Sequence, residues 1–183
     1  MEANFNTVTV HIPGGCGRPT SWYSAMSLEA AQFRATVAHF ASGVTILTMR
    51  DADGEDHGMT ATSFSSLSLD PPLILVCVDQ AASMYEPLQA AQHFAINILS
   101  SGQEKASRAF ASRDADRFGG FEFERGKLDV PILVGALAHL ECRVHARHAA
   151  GDHIIIVGEV ENGAVGDGEP LLYYRGTYGR FTK

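Results

Sequence analysis

The dipeptide Asp53-Gly54 lies between a β-branched, apolar run at residues 44–49 and a Thr- and Ser-rich run from His57 onward. That arrangement predicts a tight turn joining two antiparallel strands adjacent in sequence, and it constrains the fold more than any other feature. The same alternation of strand and turn recurs. Leu69-Asp70-Pro71-Pro72 turns the chain before a fully apolar run at 73–78, residues 94–99 read as another strand, 137–146 alternate, and 153–160 read as a buried strand. Gly-rich residues 161–169 predict a turn before a last strand at 171–181.

Helices fall between these runs. Ser27 can cap one running to about residue 41, with Phe33, Val37 and Phe40 on one stripe and Ser42-Gly43 as its stop. Ser83 with Glu86 makes a capping box for a helix to about Gln92, and Ser100 and Ser101 with Gln103 and Glu104 open a third through Phe110. Sequence-local hairpins with no regular β-α-β alternation argue against a doubly wound sheet and for a mainly β, antiparallel barrel or sheet decorated by helices. No G-x-G-x-x-G follows a strand, and no phosphate-binding P-loop is present.

The chain of 183 residues fits one domain at 27–183 behind an N-terminal arm at 1–26. In that arm Pro13-Gly14-Gly15 and Gly17-Arg18-Pro19 leave room for one short strand at 7–12. A net charge of −7 argues against nucleic acid and anionic membranes as partners. The longest apolar runs are far shorter than the ~20 residues of a bilayer span, and no signal peptide is evident. Cys16, Cys77 and Cys142 are too scattered for a disulfide framework or a thiolate zinc site, which predicts a cytoplasmic protein. His145, His148 and His153 lack ligand partners at a recognised spacing, so no metal is predicted.

Five hydroxyl residues lie within residues 60–66, beside a predicted core strand. They suit an edge strand and loop, and equally a set of uncharged donors converging on a flat heteroaromatic ring or a phosphate. Ser83 is either a plain cap or part of an anion site at a helix start, with Arg113 as a second phosphate partner. His153 enters an apolar strand after Gly151-Asp152, where a structural and an active-site histidine are both plausible. No catalytic triad or Cys-His pair is readable.

Several stretches together carry a family resemblance. They are Phe40-Ala-Ser-Gly-Val-Thr-Ile-Leu-Thr48, His57-Gly-Met-Thr-Ala61, Ser63-Phe-Ser-Ser-Leu-Ser-Leu-Asp-Pro-Pro72, Phe94-Ala-Ile-Asn-Ile-Leu-Ser100, Phe110-Ala111, Gly151-Asp-His153, Gly158-Glu-Val160 and Pro170-Leu-Leu-Tyr-Tyr-Arg-Gly176. In this order they resemble the short-chain flavin reductases, the reductase components of two-component flavin-dependent monooxygenases. The resemblance covers about residues 28–181. It implies an FMN-binding, Greek-key split β-barrel that is homodimeric, and hydride transfer from NADH, less readily NADPH, to FAD or FMN, which then serves a partner monooxygenase. It also implies that Thr60, Ala61, Thr62, Ser63, Phe64 and Ser66 line the flavin, with Ser83 and Arg113 at its phosphate or adenylate. His153 and Tyr178 would stand near the nicotinamide, His153 in the catalytic position. Thr62 stands where the family more often has serine or asparagine, and Ala81-Ala82 lacks the lysines of some relatives. A non-enzymatic flavin carrier or storage protein is the alternative, and it would purify yellow and turn over poorly.

Overall fold

The computed structural model describes residues 28–112 and 116–181. The hairpin at Asp53-Gly54 joins β2 (Thr45–Arg50) to β3 (Asp56–Ala61), which pair antiparallel from Thr45 opposite Ala61 to Arg50 opposite Asp56. Asp51 closes the turn: its Oδ1 accepts the Asp53 and Glu55 N–H groups and its Oδ2 lies 2.6 Å from His57 Nε2. Those hydrogen bonds, chiefly the one from His57, hold the Asp51 carboxyl below the usual carboxylate range.

The other strands of the main sheet are β4 (Ser65–Leu69), β5 (Pro72–Asp79), β6 (His93–Ile98), β9 (Ala138–Ala150) and β10 (His153–Val165). Together they form a seven-stranded sheet in the order β3-β2-β6-β9-β10-β5-β4, antiparallel throughout. Its two edge strands, β3 and β4, are consecutive in the chain and joined only by residues 62–64. A link this short spans at most about 14 Å, so the sheet must curl until its edges approach one another. Two short strands, β7 (Phe123–Arg125) and β8 (Pro131–Leu133), pair with each other, and β1 (Ser42–Gly43), β11 (Leu171–Tyr174) and β12 (Thr177–Arg180) form a small third sheet.

β2 is buried on both faces. Leu47 and Met49 join a core with Val76, Leu88, Phe94 and Ile156, whereas Val44 and Ile46 join a second with Leu99, Phe110 and Leu171. The period-2 alternation of a strand sends these two sets of side chains to opposite sides. Three helices occur among the described residues: α1 (Ala30–Val37), α2 (Tyr85–Ala90) and α3 (Glu104–Ala111). None is long and apolar enough to cross a membrane.

Several sequence expectations need correction. The first helix stops at Val37, because Ser42 and Gly43 pair with Tyr173 and Leu172 as β1. Its stripe faces solvent: Phe33 is 56%, Val37 49% and Phe40 81% exposed. The proposed cap Ser27 and the strand at 7–12 lie outside the described residues. Ser83 caps nothing, since α2 starts at Tyr85 with Met84 as N-cap and no side-chain cap bond. Asp79 closes that bend instead, its Oδ1 accepting the Ala81 N–H at 2.8 Å and its carbonyl the Ala82 N–H at 2.9 Å. Only half of one capping box forms before α3: Gln103 Oε1 accepts the Ser100 N–H, while Ser100 Oγ donates to the Gly135 carbonyl. β10 runs on to Val165, its last residues held in the ladder with β9, and the final stretch is the β11–β12 hairpin rather than one strand.

Glu141 on β9 is buried, and it organises the loop between β7 and β8. Burial alone would raise its pKa, but hydrogen bonds from the Leu128 N–H, the Asn162 amide and the Lys127 N–H hold it below the usual range. A lowered folded-state pKa stabilises the fold above the unfolded-state value, and the benefit fades as pH falls through the carboxylate range. Glu141→Ala should therefore cost about 2 kcal/mol at neutral pH by orphaning these donors. Thermal melts of the variant and the parent protein should differ at pH 7 and converge in acid.

Candidate active site

The hydroxyl-rich segment starts on β3 and crosses to β4 where the edges of the main sheet approach. Edge strands carry backbone groups without a ladder partner, so amide and carbonyl groups face outward there. Thr60 Oγ1 donates to the Ser107 carbonyl of α3 at 2.6 Å, which ties the end of β3 to the helix. Ala61 is buried, and its carbonyl accepts from Thr45 Oγ1 at 2.8 Å. Ser63 Oγ donates to the Cys77 carbonyl at 2.8 Å and accepts the Cys77 N–H at 3.2 Å, so its hydroxyl pins the crossing to β5. Phe64 packs against the larger core, and Ser66 stands exposed on β4 opposite Ile74.

An open cleft of about 480 Å³ takes in Thr60 alone from this segment and is lined also by Asp79, Ser83, Phe110, Ser112 and Arg117 among others. Gly58 allows its inner wall to close. A Cβ there would come 2.5 Å from Phe110 Cε1, so only glycine lets the α3 phenyl ring lie on β3. The Gly58 carbonyl, in turn, accepts a 2.8 Å hydrogen bond from Arg117 Nη1, which fixes the guanidinium on the cleft. Arg113, the expected phosphate partner, lies outside the described residues. Arg117, four residues on, was missed; its only sequence signal is a basic residue close after Phe110-Ala111.

Two expected residues reach the cleft through neighbours. His153 opens β10 directly opposite Asp79 on β5, so the two side chains share one face of the sheet. His153 Nδ1 lies 2.7 Å from Asp152 Oδ1. A carboxylate only accepts, so Nδ1 carries the proton of this bond. The same bond holds the Asp152 carboxyl below its usual range. Tyr178 on β12 shares a 2.8 Å hydrogen bond with Ser107 Oγ, and the Arg108 guanidinium sits 4.8 Å from its ring centroid. Ser107 thus touches both Thr60 and Tyr178, and no sequence pattern singled it out. Thr62 is set apart, lining a smaller pocket of about 200 Å³ with Arg34, Phe40, Tyr173 and Arg175.

Nucleophilic chemistry has little to work with here. Burial pushes the Cys142 thiol up to about 12, so it packs as a small apolar group. Among the described residues the cleft offers hydroxyls, one guanidinium, one carboxylate and an imidazole next to it, which can bind and orient a polar, anionic, planar ligand.

Comparison with known proteins agrees with this chemistry. The family model described as a flavin reductase like domain matches residues 37–182. An FMN reductase (NADH) of Agrobacterium fabrum is 42% identical over 155 residues, 85% of this chain and 88% of that protein. The reductase component of 4-hydroxyphenylacetate 3-monooxygenase from Thermus thermophilus is 42% identical over 149 residues, 81% and 94% of the two chains. Among solved structures, an NADH:FAD oxidoreductase of Streptomyces globisporus, in complex with NAD and FAD fragments, superposes with a TM-score of 0.80 at 40% identity, covering 84% of this chain and 93% of that one. With a family match across most of its length and relatives this similar, the chain belongs to the flavin reductase-like family.

Proposed function

We propose that this protein is an NADH-dependent flavin reductase that supplies reduced FAD or FMN to a separate monooxygenase component. The observation that carries the reading is the meeting of the sheet edges at residues 62–64 beside the cleft of Thr60, Ser83 and Arg117. That region suits a flavin: outward backbone groups and hydroxyls for a planar ring and its ribityl chain, and a guanidinium for a phosphate. We read the curled sheet as a split barrel, within a domain at 27–183 behind an arm at 1–26, and we place the protein in the cytoplasm.

Bound flavin supplies the hydride-accepting ring, so the protein's task is to hold two planar groups at reacting distance and exclude competing poses. In this reading Thr60, Ala61, Ser63, Phe64 and Ser66 form the flavin wall, mainly through backbone groups at Ser63, whose hydroxyl is already engaged by Cys77, while Thr62 faces the smaller neighbouring pocket. Ser83 and Arg117, with Arg113, bind phosphate. His153, its ring held by Asp152, would orient the nicotinamide, and Tyr178, held by Ser107, would stand near it. No arginine cluster for a 2′-phosphate is evident in the sequence, which favours NADH over NADPH.

We further propose a homodimer. α1 has no buried residue, and Phe33, Val37 and Phe40 form an apolar stripe open to water. Burying that stripe against a second copy removes the cost of its exposure.

Three results are expected. Light scattering at micromolar concentration should give about twice the 19.7 kDa chain mass; a monomer that reduces flavin would rule the dimer out. NADH oxidation should rise and saturate with added free FAD or FMN. His153→Ala should slow hydride transfer by roughly ten- to a hundredfold with flavin affinity near the parent value. A lowered melting point with an intact rate would make His153 structural, and flavin-independent NADH oxidation would refute the activity.

A further inference from the structure

The described lining of the cleft carries one charge of each sign, Arg117 and Asp79. Among the described residues no carboxylate forms an ion pair with Arg117. Asp79 is exposed at the end of β5, and its Oδ1 accepts the Ala81 N–H at 2.8 Å, which fixes the carboxylate on the cleft rather than leaving it to swing into solvent. Ala81 and Ala82, two and three residues further on, also line the cleft and add no charge. A phosphate drawn in by Arg117 therefore meets a fixed like charge on the same lining.

We propose that Asp79 is a specificity-determining residue of the flavin site: its carboxylate opposes the phosphate of FMN or the diphosphate of FAD and keeps these flavins exchangeable. The inference rests on the flavin reductase reading above. A protein that hands its product to a separate enzyme needs rapid departure, and changes in affinity appear mainly in the dissociation rate. Repulsion across a partly solvated cleft is modest and screened by salt, so it tunes affinity without abolishing binding. Riboflavin, which carries no phosphate, does not feel it.

The test is equilibrium binding of FMN, FAD and riboflavin to the full chain, read by quenching of flavin fluorescence at low and high salt. Asp79→Asn keeps an oxygen to accept the Ala81 N–H, so the bend survives and only the charge is lost. It should tighten FMN and FAD by about fivefold and riboflavin by less than about twofold, with the difference shrinking at high salt. Arg117→Met should do the reverse, weakening FMN and FAD relative to riboflavin. Equal changes for all three flavins, or no change for FMN, would overturn the role of Asp79. If the parent protein reduces flavin and Asp79→Asn leaves the phosphate preference unmoved, this inference alone fails. If the parent protein binds none of the three, the functional reading fails and takes the inference with it.

Discussion

The ladder between β9 and β10 is what the rest of the molecule depends on. Each strand has thirteen residues, and their pairing runs from Ala150 opposite His153 to Ala138 opposite Val165. β9 also carries β6, and through it β2 and β3; β10 also carries β5, and through it β4. Both halves of the sheet thus hang on one hairpin. Gly158 lets the sheet pack closely along it: a Cβ there would stand 2.5 Å from Phe94 Cζ and 2.9 Å from Cys142 Cβ. The pairing shifts register between Val157 and Gly158, an irregularity of the kind that increases local twist and bend.

That curvature makes the site. Because β3 and β4 are consecutive in the chain yet sit at opposite ends of the sheet order, residues 62–64 must bridge them, and the hydroxyl-rich segment falls where the edges approach. Ser63 spends its hydroxyl on Cys77, a buttress that holds the bridge against β5. Ser107 gives α3 a parallel role, holding Thr60 through its carbonyl and Tyr178 through its hydroxyl. Polar groups around the cleft are thereby oriented by the scaffold in advance, so ordering costs less on ligand binding.

The strands were legible because hairpin chemistry and apolar runs are local signals: Asp53-Gly54, the run at 73–78 and the strand after Gly151-Asp152 all sit where the sequence puts them. Helix starts were less legible. A serine followed three residues later by a glutamate satisfies a capping pattern at Ser83, but Asp79 closes the same bend with its own carboxylate and Ser83 is left lining the cleft. The stripe of Phe33, Val37 and Phe40 was readable as a helix face, yet nothing local says that the face stays uncovered within one chain. Among candidate site residues, the segment at 60–66 announced itself by composition. Asp79, Ser107 and Arg117 did not, because their roles arise from β5, α3 and β3 meeting, which is long-range information.

Hydride transfer between a nicotinamide and a flavin held by this chain is the chemistry on which the functional reading stands. Anaerobic mixing of the protein with NADH and a small excess of FMN or FAD tests it most directly, following NADH absorbance and flavin bleaching together, with NADH deuterated at the transferring position as comparison. One flavin should be reduced for each NADH consumed, at a rate that saturates with flavin and slows with deuterium. NADH consumption without flavin bleaching, or bleaching no faster than without protein, would contradict it.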